Sequence, residues 1–293
     1  MNETAVLIGE LDFISLASLA AVAFIGLPHG ALDGAVSMRL GFASSLLKLT
    51  GFIAGYLAIG SMVVGCWMLA PTASLLGFLF VSLIHFGLGD SSASLARNDR
   101  LVQAGCHGGL VVLGISLMHR PQVEVIFAVL GADPQLLWPV LEAAIWPLLM
   151  LLAVYGIRAI SVPAMRYRFM EIFLLAAVFW YTPPLLGFAI YFCCVHSRRH
   201  IAALWAMIRH NSARGKMLQL SLLFTLASWL AGGVMIYLLA ASGPPGDAIL
   251  QVVFIGLAAL TVPHMLLIDL VLRRHSRYGE DNGHNSLGGE RAL

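Results

Sequence analysis

The sequence predicts an all-α fold, a polytopic integral membrane helix bundle of about eight or nine transmembrane helices. Three observations carry that reading. The 293 residues are 59% hydrophobic and only 11% charged, with a mean hydropathy of +0.88, whereas a soluble domain carries about 25% charged residues. Apolar runs, most near the roughly 20 residues that cross a bilayer as helix, recur at 11–28, 45–70, 72–90, 101–118, 136–157, 169–182, 184–208, 217–241 and 247–272. Positive charge is also sorted: with nine spans, all of the 17 Lys and Arg residues except Arg120 fall or lean to one side. That is the positive-inside pattern. It predicts a multi-pass protein of the cell (inner) membrane with the N-terminus outside and the C-terminus cytoplasmic.

The elements follow in order. The first run is preceded by acidic residues and no basic region, so it reads as a retained span rather than a cleaved signal. Residues 119–135, with Pro121, Glu124, Asp133 and Pro134, form the longest connection, where a short interfacial helix is expected. Thr182-Pro183-Pro184 divides what would otherwise be one run from 169 to 208, because proline breaks the backbone ladder. The sixth run is short, which leaves open eight crossings with one re-entrant piece. From Ser276 the chain is polar and Gly-rich and is expected to be disordered. The expected organisation is a single transmembrane domain, 1–275, followed by a cytoplasmic tail, 276–293.

Composition also excludes. A net charge of +2, without a basic, aromatic-interleaved stripe, offers nothing to nucleic acid. Cys66, Cys106, Cys193 and Cys194 lie in apolar runs at spacings that make neither a zinc knuckle nor a disulfide framework, so they read as small packed hydrophobes.

Histidine is the residue that does not belong in such spans. His29, His85, His196, His200 and His264 all fall late in spans that run from outside to inside, so they share one depth. Ionisable groups within a membrane are costly and mark function. His196 and His200 are four apart, which on a helix projects both imidazoles from one face. His29, His85, His196 and His200, from three spans, make a candidate metal shell. An all-imidazole shell leaves the ion dipositive with positions open for O2, which suits Fe(2+). Asp33, one turn beyond His29, could accept its second ring N–H and fix the tautomer, or be solvated at the interface. Asp90 and Asp269 lie five residues after His85 and His264, about 140° round the helix, where they serve another histidine or face water. His264, after Pro263, is either a further ligand or pocket residue or a structural hydrogen bonder.

Several residues have simpler readings. His107, beside Gly108 and Gly109, reads as close helix packing; His119, His210, His275 and His284 lie in loops or the tail. Arg198 and Arg199 must point away from any metal held by the paired histidines, and snorkelling to the interface explains them. Phe86, Phe179, Trp180, Tyr181, Phe188, Tyr191, Phe192 and Trp205 flank the histidines and either line a channel for a long flat hydrophobe or simply pack.

Four stretches, Pro28-His-Gly-Ala-Leu-Asp33, His85-Phe-Gly-Leu-Gly-Asp90, His196-Ser-Arg-Arg-His200 and Pro263-His-Met265, appear in that order over nearly the whole chain. In them the sequence resembles the Brp/Blh family of membrane-embedded β-carotene 15,15′-dioxygenases. The resemblance implies that His29, His85, His196 and His200 are the essential histidines. It further implies Fe(2+) as cofactor, β-carotene and O2 as substrates, and central cleavage to two all-trans-retinal for rhodopsins. A functional association with a rhodopsin would follow. Cys193-Cys194-Val195 before His196 departs from an aromatic-rich flank, which bears on substrate preference rather than on metal.

Other classes remain. Membrane di-iron hydroxylases need clustered boxes including HxxHH, which this chain lacks, and HExxH is absent, which argues against an intramembrane zinc protease. A haem-binding electron carrier or a transition-metal transporter could use the same intramembrane histidines.

Overall fold

The computed structural model describes residues 11–268, the side chains of His29 and Met207 excepted. Asp269 and the expected tail from 276 lie outside the described residues. The described chain is helical, with no strand among its elements. It opens with α1 (Phe13–Ala21), the four-residue α2 (Pro28–Ala31) and α3 (Asp33–Arg39). Then come α4 (Leu46–Leu69), α5 (Pro71–Asp90), α6 (Arg97–Gly109), α7 (Ile115–Met118) and α8 (Arg120–Val129). The remainder is α9 (Pro134–Ser161), α10 (Pro163–Tyr181), α11 (Pro184–Ile190), α12 (Arg198–Ile208), α13 (Arg214–Ala240) and α14 (Pro245–Met265).

The helix starts follow local chemistry. Pro71, Pro134, Pro163, Pro184 and Pro245 open their helices, where a missing N–H costs nothing and φ is already helical. Asp12 and Ser45 cap α1 and α4 by accepting from Ser15 N at 2.8 Å and Lys48 N at 3.3 Å. The connection 119–135 contains the short helix α8. The sixth run is longer than its apolar residues suggested, because α10 begins at Pro163 and takes Arg166, Arg168 and Glu171 into its first turns.

Among the described residues, six helical stretches are long and apolar enough to cross a membrane by length and composition: Leu46–Leu69, Pro71–Asp90, Arg97–Met118, Pro134–Ser161, Arg214–Ala240 and Pro245–Ile268. The protein is a membrane helix bundle. The expected count of eight or nine is not reached on that measure. Phe13–Gly26 is shorter, α10 opens on three charges, and the stretch from 184 carries Arg198 and Arg199. Large apolar side chains face outward, Leu69 at 88% and Leu230 at 71% exposure; hydrocarbon is the solvent that such a surface fits.

Between helices in lipid, close packing replaces the hydrophobic effect as the adhesive. The most extensive contact is α5 against α6, and glycine makes it. A Cβ on Gly87 would overlap the Ala104 carbonyl oxygen, and one on Gly108 would overlap that of Leu83. Gly109 meets Leu148 and Gly105 meets Leu151, which brings α9 onto the same helix. Arg158 of α9 grips Asp99 of α6 through two bonds of 2.7 and 2.8 Å. Indole N–H groups pin two further crossings, Trp67 to Leu130 O and Trp229 to Ala23 O, both at 2.9 Å. This packing fixes where the late turns of α5 and α14 lie.

Candidate functional site

Apart from α5, which carries His85 in an unbroken α-helix, the segments that carry the histidines are not regular α-helices. π-helical stretches interrupt them at Val22–Gly26, just before His29, at Tyr191–Ser197, which contains His196, and at 266–268, just after His264. A π turn inserts one residue into the ladder, re-aims the face that follows, and often accompanies a functional site. The first two of these stretches interlock. Ser197 Oγ donates to Gly26 O at 3.3 Å, Cys193 Sγ to Ala21 O at 3.4 Å, and Phe192 covers Gly26 so closely that a Cβ there would enter its ring.

Four imidazoles from three parts of the chain meet as a string. The ring centroids of His196 and His85 are 4.9 Å apart, those of His85 and His264 5.2 Å, and those of His264 and His200 5.0 Å. His196 Nε2 and His85 Nε2 approach to 3.2 Å. Two nitrogens that share one transition-metal ion at about 2.1 Å each take up a similar spacing, so this pair fits a metal. Among the described residues, no three His, Cys, Asp or Glu side chains are drawn tightly enough to close round an ion. The described group is a pair, with His264 one ring further on and His200 beyond it. His29 lies on α2; its side chain is outside the described residues.

Two buried carboxylates stand behind the string. Asp33, 1% exposed, accepts from His264 Nδ1 at 2.8 Å and from Tyr56 O–H at 3.0 Å. That bond makes Nε2 the nitrogen of His264 that carries the lone pair. The sequence offered His29 or interfacial solvation for Asp33; among the described side chains its histidine partner is His264, brought from the far end of the chain. Asp90, also 1% exposed, accepts from Tyr191 O–H at 2.5 Å and lies 3.8 Å from His196 Nδ1 and 3.4 Å from Arg199 Nη1. It therefore serves His196, not the preceding His85, and does not face water.

Arg199 corrects the expectation of snorkelling. Its Nη2 lies 2.7 Å from both carboxylate oxygens of Glu171, and its other arm faces Asp90. Burying a carboxylate requires a compensating partner, and Arg199 supplies one to two acids at once. Arg198 remains exposed, with Nε bonded to Cys194 O at 3.0 Å.

Two cavities flank the string. One, of about 100 Å³, is walled by Phe78, Ser82, His85, Phe86, Phe188 and Phe192, and extends to Ser116, Val123 and Phe127. The other, of about 310 Å³, is walled by Tyr56, Leu57, Leu223, Ser228, Trp229 and His264. Leu257 and Thr261 line both. With His264 they occupy one face of α14, four and three residues apart. His85 thus borders one chamber and His264 the other, with their rings 5.2 Å apart at the partition.

His85, His196, His200 and His264 come together, as do Asp33 and Asp90; Asp269 lies outside the described residues. His107 is buried, with Nδ1 3.0 Å from Gln103 O. Beside it Gly108 makes the close helix crossing that the sequence suggested. His119 Nε2 lies 2.6 Å from Phe179 O, which ties α7 to α10. Of the flanking aromatics, Phe86, Phe188 and Phe192 line a chamber, whereas Trp180, Tyr181 and Trp205 face outward. Sequence reasoning missed Tyr56, Glu171, Gly89, Leu257 and Thr261. Glu171, an acid within a helical apolar run, carried a signal that could have found it. Gly89, against whose Cβ position His196 Cε1 would stand at 3.1 Å, carried none.

Comparison with known proteins finds relatives over most of the chain. The family described as Beta-carotene 15,15′-dioxygenase matches residues 20–271. The chain is 37% identical over 270 residues to the Beta-carotene 15,15′-dioxygenase of uncultured marine bacterium 66A03, covering 91% of this chain and 97% of that protein. It is 27% identical over 296 aligned positions to the probable beta-carotene 15,15′-dioxygenase Blh of Halobacterium salinarum, covering 85% and 82%. No solved structure matches it.

Proposed function

Because the chain belongs to the β-carotene 15,15′-dioxygenase family, we propose that it cleaves the central double bond of β-carotene with O2 to give two molecules of retinal. One observation carries this reading to the site: His85 and His264 border separate apolar chambers and meet between them. A long hydrophobe that runs from one chamber into the other passes the histidines.

His29, His85, His196 and His200 would hold Fe(2+). His264 joins that set, since its ring lies between those of His85 and His200. Bound there, the ion supplies an activation of O2 that no side chain offers. The balance is simple: the C15=C15′ bond breaks, each carbon takes one oxygen atom of O2, and no outside electron or proton is consumed. No residue has to act as acid or base, and the side chains do other work. Asp33 holds the His264 ring through Nδ1, and Asp90, with Tyr191 and Arg199, backs His196. The apolar chamber walls exclude water and align the polyene. β-Carotene reaches the site from the bilayer that dissolves it. The retinal released is the chromophore that a rhodopsin takes up.

Haem fits this geometry less well. Two histidines on opposite faces of a haem hold their nitrogens about 4 Å apart with a macrocycle between them, whereas His85 Nε2 and His196 Nε2 are 3.2 Å apart. The test is expression in β-carotene-producing cells. Bleaching of the orange colour with retinal in the extract is the expected result. Cells that stay orange, with the protein in their membranes, overturn the proposal.

A further inference from the structure

The two chambers differ in a way that the reaction can use. The wide one takes part of its wall from the lipid-facing surface: Leu57 of α4 is 63% exposed and Leu223 of α13 is 60% exposed. The narrow one has no exposed residue in its wall; Ser116, Val123 and Phe127, at 4%, 4% and 7%, are interior. It runs back along α5 from His85 to Phe78, seven residues or about 10 Å of helix axis, and ends against α7 and α8. Val123 and Phe127 are one turn apart on α8 and both face it. α8 is itself anchored, because Gln251 Nε2 of α14 donates to Val129 O and Trp67 Nε1 donates to Leu130 O, both at 2.9 Å.

We infer that Val123 and Phe127 are specificity-determining residues, the end stop of a blind chamber whose depth selects which double bond of the polyene lies at the histidines. The inference rests on the proposed carotene cleavage. A polyene offers many chemically similar double bonds, and the histidines alone cannot count along it. One end ring would thread from the wide chamber past Leu257 and Thr261 and come to rest on α8. The bond then held beside His85 is fixed by the distance from α8 to the string. Any C=C placed there reacts with the same balance: the bond breaks and each carbon takes one atom of O2.

The experiment uses the full-length protein in detergent micelles with β-carotene and O2, the carbonyl products being separated by chromatography. Val123→Phe shortens the chamber and Phe127→Ala lengthens it. Each variant is expected to give an unequal pair, one fragment longer than retinal and one shorter, at a tenth or more of total product. Retinal as sole product from both variants overturns the inference. So does loss of all product in both, because a moved stop should displace the cut rather than abolish it. Wild-type protein that forms no retinal would instead defeat the proposed function, and the two failures are thereby distinct.

Discussion

Asp33 Oδ1 lies 2.8 Å from Nδ1 of His264, across 231 residues of sequence. The bond joins the first histidine motif to the last and sets the tautomer of the ring that borders the wide chamber. Tyr56 O–H donates to the other carboxylate oxygen at 3.0 Å, so the acid is held from two sides. Asp33→Ala is expected to lower retinal formation and retained iron by about 10- to 100-fold, the usual cost of removing the partner of a metal-bound imidazole. Asp33→Asn, which keeps one acceptor oxygen, should lose less. Assay of product and of iron per chain in the two variants checks the order.

Arg199 faces two acids, buried Asp90 and partly buried Glu171. Arg199→Ala leaves buried Asp90 without its cation, while Glu171 keeps Arg168 at 3.2 Å, and is expected to cost about 3–5 kcal/mol, as for breaking a buried ion pair. Arg198→Ala, on the exposed neighbour, should fall within about 0.5 kcal/mol of the parent. Thermal unfolding in detergent compares them. Equal midpoints would show that the Arg199 network contributes nothing.

Gly89 is small for the sake of a ring. A Cβ at that position would stand 3.1 Å from Cε1 of His196, which forces the imidazole to shift by a few tenths of an ångström. Catalytic geometry is sensitive on that scale, since a 1 Å misplacement can cost about 100-fold. Gly89→Ala is expected to lower the rate roughly tenfold with the fold intact. Gly77→Ala, on the same helix with open space around it, should leave the rate unchanged.

Gly108 and Gly87 set the α5–α6 crossing against backbone oxygens, which cannot swing aside as a side chain can. Gly108→Ala is expected to remove folded protein from the membrane fraction rather than to slow the enzyme. Recovery of Gly108→Ala at parental yield and activity would refute that account of the crossing.

Much of this was legible in residues, and the remainder has physical reasons. The helix bundle follows from hydropathy. The gathering of His85, His196, His200 and His264 follows from a shared depth, because spans that run the same way bring their late turns to one level. The partner of Asp33 was not legible. Helical spacing offered only His29, a neighbour in sequence; the bond to His264 depends on how the helices cross, and crossing angles are not written in one strand of sequence. Arg199 illustrates the same limit. A cation near a span end snorkels by default, unless a neighbouring helix such as α10 supplies an acid like Glu171. The π turns carry no propensity signal, since they arise where packing forces an extra residue into a ladder.

If these imidazoles jointly hold one iron, the ion should be lost when one of the rings is removed. Iron per chain, measured on protein purified from iron-replete cells, tests it most directly when wild type is set beside His85→Ala and His196→Ala. Close to one ion is expected in the wild type and a background level in each variant, with all three proteins eluting as the same folded species. Equal iron in all three would contradict it.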